Sequence, residues 1–189
     1  MKTRWLKQIE TYDGTQLRSL YAYLQHKILG DSVIAWRGPC NIPFSHMVDG
    51  EDLLEQSVIA GSDMLHFVIE IFDQKLITGV LLQRFFASIV KDELEQKTSV
   101  SKLKLQRSGD DIYWGKKKLS ISIATSSPVS TLVHFAINIS SKGTPVPTAG
   151  LDDLKLKTKP QDFAEQCMKI LKLEYETSIE ATCKVRPVP

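Results

Sequence analysis

The side chains best suited to chemistry lie close together between Gly109 and Ala124, in the stretch GDDIYWGKKKLSISIA. Two carboxylates, Asp110 and Asp111, precede the phenol of Tyr113, and Lys118 follows a short turn. A fixed ammonium group stabilises negative charge on a carboxylate or a phosphate. The stretch therefore predicts an electrostatic site around Lys118, and Asp110 and Asp111 are the candidates to hold Mg²⁺ if a nucleotide brings it, because magnesium needs few protein ligands beside phosphates.

A tight turn would place Lys118 opposite the acidic strand. Gly115 followed by Lys116 is typical of a type II′ hairpin, which pairs Tyr113 with Lys118. Since side chains alternate along a strand, we expect Asp111, Tyr113 and Lys118 to share one face of the hairpin.

Small residues continue this predicted face. If the alternation persists, it holds Ser120, Ser122 and Ala124, and the following strand adds His134, Ala136 and Asn138. A floor of small residues beside a few polar groups leaves room for a ligand on the sheet. The same pattern suits a strand that a neighbouring loop covers, and both interpretations stay open.

The elements that must position these residues follow from apolar periodicity. Strands are predicted at 4–10, 31–36 and 64–72 and as a run of four between 101 and 140, and helices at 17–29, 74–97 and 160–184. The long central helix is expected to bury a stripe of Ile77, Val80, Leu81, Phe85 and Ile89. The order is not a regular strand–helix alternation, so we predict an α+β fold, with a mixed or antiparallel sheet and helices packed mainly on one face. Residues 1–189 form a single domain, closed by the C-terminal helix.

Composition limits the classes of protein that remain. The 189 residues are 42% hydrophobic and 24% charged, with a net charge of +2, which is too small to indicate a nucleic-acid or membrane partner. Three cysteines cannot all pair internally, and the first residues lack the apolar core of a secretory signal. We therefore expect a cytoplasmic protein with free thiols and no membrane partner. A homodimer is compatible with the sequence.

Two motifs carry a resemblance to known families. GDDIYWGKKKLSISIA followed by LVHFAINI resembles the central motifs of biotin protein ligases, lipoate protein ligases and lipoyl(octanoyl) transferases, in a fold group shared with class II synthetases. More closely, YDGTQLRS, ILGDSVIAWRGPCN and RSGDDIYWGKKKLSISIATSSPVS are similar to a prokaryotic family known as domain of unknown function 366. The element order agrees over most of the chain.

The resemblance implies roles for individual residues. Lys118 matches the lysine that contacts the acyl carboxylate and the adenylate phosphate in the ligases. Asp111 matches an acid that helps hold ATP and metal, and Asn138 matches an asparagine at a strand end. The ligases also close a loop rich in glycine and arginine over the adenylate, and this chain offers only Arg37 and Gly38 at that position. The transferases use a cysteine nucleophile where Val146 stands here, and valine cannot form a thioester.

Further candidates complete the predicted site. Arg18 would bind a carboxylate or phosphate, or would only pair with Asp13 or Asp31. Ser120 and His134 would line the ligand, whereas Cys40 is more typical of a small buried residue. Lys102 and Lys104 alternate with leucines and are expected to face solvent. Binding of single-stranded nucleic acid relies on aromatic stacking, and few aromatic residues accompany these lysines.

The leading hypothesis is a ligase- or acyltransferase-like domain that binds a small carboxylate or acyl-nucleotide ligand around Lys118. ATP and Mg²⁺ are its candidate cofactors. The alternative is a non-catalytic binding or interaction module on the same fold, with an RNA or protein partner. The sequence does not decide whether the protein is an enzyme.

Overall fold

The fold is a mixed α+β arrangement, described here for residues 1–188 of a computed structural model. In chain order its elements are β1 (Lys2–Trp5), α1 (Tyr21–His26), β2 (Ser32–Ile42), α2 (Gly50–Glu55), β3 (Ile59–Phe72), α3 (Leu76–Lys97), β4 (Gln106–Ser108), β5 (Asp111–Trp114), β6 (Lys117–Lys118), β7 (Ser120–Ser126), β8 (Ser130–Asn138) and α4 (Pro160–Thr182). The main sheet has the order β1-β2-β3-β8-β7, and β4-β5-β6 form a second, smaller sheet. Only the β1–β2 pair is parallel in the main sheet, so the predicted mixed α+β fold is confirmed.

The two long helices cover one face of the main sheet. Odd-numbered residues of β8 point toward them, and Phe135 packs edge-on against Phe67 and Phe86. From α4, Phe163 and Cys167 enter the same core, as the sequence predicted. Burial of this continuous apolar layer supplies the main driving force for folding. The opposite face is covered by α1 and by the segment that precedes it.

The buried stripe of α3 differs in part from the prediction, although Ile89 is buried as predicted. Ile77 and Leu81 are each 61% exposed, whereas Gln83, Phe86 and Val90 face the core. Apolar residues occur on nearly all sides of this helix, so their spacing does not define a single stripe. Packing decides the rotation instead: Gly79 lies so close to the side chain of Thr131 that a Cβ would be 2.2 Å from it.

Strand β2 also corrects the sequence analysis. The predicted loop over residues 37–41 is the second half of this strand, which pairs with β3 as far as Ile42 opposite Ile59. Pro39 falls at an irregularity in the register between Gly38 and Cys40, which lets the strand continue past a residue without an N–H donor. The first strand and first helix are shorter than predicted, because the segment 6–20 is irregular and crosses the sheet.

Two further features are the hydrophobicity of the helices and the state of the cysteines. None of the helices within residues 1–188 is long and apolar enough to cross a membrane. Cys40 and Cys167 are buried and Cys183 is exposed, and all three are free thiols.

Candidate functional site

The hairpin that carries Lys118 has the predicted geometry. Tyr113 pairs with Lys118 and Trp114 with Lys117. Gly115 has a φ of +60°, the conformation that the first central residue of a type II′ turn requires and that a Cβ disfavours.

The face assignment beyond Lys118 is wrong. At Leu119 the chain leaves the small sheet and joins the main sheet, so the alternation does not continue through the junction. Ser120 lies opposite Ile137 and Ser122 opposite Phe135, which places both serines on the side of the long helices. His134 and Asn138 point to the other side of the sheet, and the predicted common floor does not form.

A cavity of about 400 Å³ nevertheless lies at this junction. Of the predicted site residues, the structure gathers five along its border: Asp110, Asp111, Lys118, Ser120 and Asn138. The remaining walls come from α2, the first residues of β3 and the loop 144–148. The cavity thus sits at the free edge of β7, where strand ends and loops meet.

Lys118 and Asp111 form an ion pair at the cavity. Nζ lies 2.8 Å from Oδ2, and the side chains are 31% and 22% exposed. The hydroxyl of Tyr113 donates a 3.2 Å hydrogen bond to the same oxygen. Burial raises the pKa of Asp111, although the lysine partner acts in the opposite direction. Burial disfavours the charged form of Asp111, and Asp111 is the counterion of Lys118. An incoming carboxylate could therefore exchange with Asp111 beside Lys118.

Asp110 is committed to a different network. Its Oδ2 accepts hydrogen bonds from the Gln83 amide at 2.8 Å and from the Ser122 hydroxyl at 2.7 Å. The two neighbouring aspartates therefore have different partners, and residues 1–188 contain no group of three or more His, Cys, Asp or Glu arranged to hold a metal ion.

Asn138 holds the backbone that shapes the cavity. Its amide donates to the carbonyl of Ala149 at 3.3 Å. The Lys118 backbone is also bonded to this segment: its N–H donates to the Pro147 carbonyl, and its own carbonyl accepts from the Ala149 N–H. Asn138 is thus a buried positioning residue that fixes the loop 144–148 against Lys118.

Arg37, Gly38 and Arg18 lie away from this cavity. Arg37 makes a bidentate pair with Asp63 at 2.8 and 2.6 Å. A Cβ on Gly38 would lie 1.9 Å from the carbonyl oxygen of Glu10, so the glycine is required for this close crossing of two backbone segments. Arg18 is exposed, with its guanidinium 5.7 Å from the centre of the Tyr21 ring.

His134 is a buried core residue and does not border the cavity beside Lys118. Its ring stacks on Tyr12, with 3.5 Å between the ring centres, and its Nε2 lies 3.1 Å from Nδ1 of His66. Cys40 is buried nearby, and burial raises the pKa of its thiol to about 12, which leaves it protonated and unreactive at neutral pH.

The border of the cavity beside Lys118 is predominantly acidic, a feature that the sequence analysis did not predict. Asp49, Glu51 and Asp52 of the α2 region face the same space as Asp110 and Asp111, against Lys118 as the cation. The signal was the segment VDGEDLLE, in which Asp49 caps α2 by accepting from the Glu51 N–H. It places three carboxylates within four residues.

Comparison with known proteins supports the fold assignment. A solved protein of unknown function from Pyrococcus horikoshi matches the whole of both chains with a TM-score of 0.91 and 36% identity. A biotin protein ligase from Aquifex aeolicus, in complex with biotin, matches 93% of this chain and 70% of its own with a TM-score of 0.60 and 14% identity, a likeness of fold. Lipoate ligases are also among the structures of similar fold.

Sequence comparison supplies the family. An uncharacterized protein of Methanocaldococcus jannaschii is 32% identical over 186 residues, which are 95% of this chain and 80% of that protein. The model of the domain of unknown function DUF366 matches residues 1–186. The chain therefore belongs to the DUF366 family, as its motifs predicted.

Proposed function

We propose that the DUF366 chain binds a small acyl ligand through its carboxylate in the cavity beside Lys118. The observation that carries this proposal is the Lys118–Asp111 pair, a partly exposed ammonium with one carboxylate partner, at the border of a 400 Å³ cavity. In the complex, the ligand carboxylate takes the place of the half-buried Asp111 beside Lys118. The raised pKa of Asp111 favours that exchange.

The rest of the cavity suits an apolar acyl body. Ile59, Ile121, Met64 and Val146 border it and offer hydrocarbon surface beside the charged end. Biotin, which is bound to the ligase of similar fold, combines an apolar chain with one terminal carboxylate. A ligand of this class brings a single negative charge, which Lys118 compensates at short range.

A triphosphate does not fit the residues present. Arg37 is already bound to Asp63, and the carbonyl of Glu10 fills the space next to Gly38. The acidic border would repel the several charges of ATP. Val146 borders the cavity and supplies no nucleophile. The proposal therefore covers binding of the acyl carboxylate and includes no adenylation and no thioester.

Isothermal titration with biotin, lipoate and octanoate, with and without ATP and Mg²⁺, tests the proposal. We expect at least one acid to bind without ATP, and Lys118→Gln to weaken it about tenfold or more through loss of a charge-assisted hydrogen bond. Lys117→Gln is the matched control, since Lys117 is the exposed neighbour on the same strand. Absence of binding by every acid, or equal affinity of the Lys118 variant and its control, would reject the proposal.

A second candidate is a module that binds a protein partner. Leu54 is 88% exposed on α2 and Val58 is 61% exposed, and both lie in the segment that borders the cavity. Exposed apolar side chains grouped on one segment are more typical of a protein contact than of RNA binding. The same titrations discriminate, because this candidate requires no affinity for the acids. A cytoplasmic location is part of both proposals, and the three free thiols support it.

A further inference from the structure

Two buried histidines form a short hydrogen-bonded chain under the sheet face opposite the long helices. His66 on β3 is fully buried and His134 on β8 is 1% exposed. His66 Nε2 lies 3.1 Å from the carbonyl oxygen of Gly38, and His66 Nδ1 lies 3.1 Å from His134 Nε2. Tyr12 stacks over the second ring.

The carbonyl of Gly38 fixes the direction of every hydrogen bond in this chain. Burial lowers the pKa of both histidines, so each ring is neutral and carries one N–H at pH 7. A carbonyl only accepts, so His66 Nε2 carries a hydrogen and His66 Nδ1 is an acceptor. His134 Nε2 must then donate, which leaves His134 Nδ1 as a lone-pair acceptor. Within residues 1–188 no donor is bonded to that nitrogen.

His134 borders a second, smaller pocket next to the cavity beside Lys118. This pocket measures about 40 Å³ and is lined by apolar side chains that include Ile42, Ile121 and Ile123. It shares Ile59 and Ile121 with the border of the cavity beside Lys118. Since a single water requires on the order of 10–15 Å³, the smaller pocket accommodates a small polar group and excludes a bulky one.

The spacing along β8 gives the length scale of a ligand that meets both Lys118 and His134. His134 and Asn138 are four residues apart on β8, and the Asn138 N–H donates to Leu119, next to Lys118. Four residues of strand span about 13 Å, which corresponds to an extended acid of about eight carbons with a hydrogen bond at each end.

We propose that His134 Nδ1 accepts a hydrogen bond from an O–H or N–H group at the end of the acyl ligand remote from its carboxylate. This inference rests on the proposed function, in which Lys118 holds the carboxylate. It narrows the substrate class to medium-length acids with a terminal hydrogen-bond donor. The acidic residues Asp49 and Asp52, which border both cavities, favour such a donor end over a second acidic group.

Matched acids test the inference on the wild-type chain. Octanoate and 8-hydroxyoctanoate differ by one hydroxyl group, and both retain the carboxylate for Lys118. We expect 8-hydroxyoctanoate to bind about tenfold more tightly, because its hydroxyl group donates to His134 Nδ1 and octanoate has no such donor. In His134→Phe the ring and its stack on Tyr12 remain but the acceptor is lost, so the two acids should bind equally. His134→Gln, which keeps an acceptor, should restore part of the preference.

Nitrogen NMR of the histidine rings gives a readout that does not depend on a variant. We expect Nε2–H tautomers for both rings, and an upfield shift of the His134 Nδ1 resonance with 8-hydroxyoctanoate but not with octanoate. Equal affinities for the two acids in the wild type, or an unshifted Nδ1 resonance, would overturn the inference and leave the proposed function standing. If neither acid binds while biotin or lipoate does, the inference fails and the proposed function stands. If no acid binds at all, both fail.

Discussion

The two faces of the main sheet are built on different principles. On the face covered by α3 and α4, Phe67, Phe86 and Phe135 meet edge to face with ring centres 5.0 to 6.4 Å apart. On the other face, Tyr12 and Trp36 pack on two histidines, and Ile121 borders both the cavity beside Lys118 and the smaller pocket beside His134.

The covering elements account for this difference. Helices of 22 and 23 residues close the first face with a mainly apolar layer, in which Gln83 bonds to Asp110 and Ser122. A six-residue helix and irregular backbone close the second face, and these bring carbonyl groups that buried polar side chains must satisfy. The first face therefore contributes most of the apolar burial, whereas the second face carries the buried His66 and His134.

Removal of an aromatic ring from the first face should have the largest effect on stability. Phe135→Ala takes a fully buried side chain out of the aromatic cluster, and we expect it to lower the free energy of unfolding by about 3–5 kcal/mol. Urea denaturation measures the loss. Phe85→Ala is the control, since that ring is 41% exposed on α3 and its removal should cost much less. Equal losses would show that the cluster does not dominate this face.

The second face should make stability depend on pH. Burial lowers the pKa of His66 from 6.5 to about 4, so between these values the unfolded chain binds more protons than the native one. Stability that is present above pH 6.5 is therefore lost as the pH falls toward 4, by about 3 kcal/mol for this residue. Urea denaturation of the wild type between pH 7.5 and 4.5 measures the slope.

A pair of variants assigns that slope to the buried rings. The double variant His66→Gln and His134→Gln should flatten the dependence between pH 6.5 and 4.5. His46→Gln is the matched control, because His46 is exposed. A wild-type free energy of unfolding that does not vary over this range would contradict the burial of neutral histidines.

Local patterns predicted the hairpin better than either face of the main sheet. The turn at Gly115 and the pairing of Tyr113 with Lys118 depend on adjacent residues, so the sequence sufficed. The face of Ser120 depends on a change of sheet at Leu119, which no alternation rule detects. The side chains that border the cavity from α2 are remote in sequence from Lys118, and only the tertiary fold brings them together.

Gly38 shows the same limitation, and it offers the smallest of the predicted effects. The sequence suggested a ligand loop, but the structure shows a strand crossed by Glu10, where an added Cβ would lie 1.9 Å from a carbonyl oxygen. We expect Gly38→Ala to displace the segment that carries Tyr12 and to lower the free energy of unfolding by about 1–3 kcal/mol, as overpacking does. Gly50→Ala is the matched control, because nothing lies within 4 Å of a Cβ at that position. Urea denaturation compares the two variants. If Gly38→Ala proved as stable as its control, the backbone of Glu10 would adjust to an added Cβ, and the close crossing would not be what requires glycine at position 38.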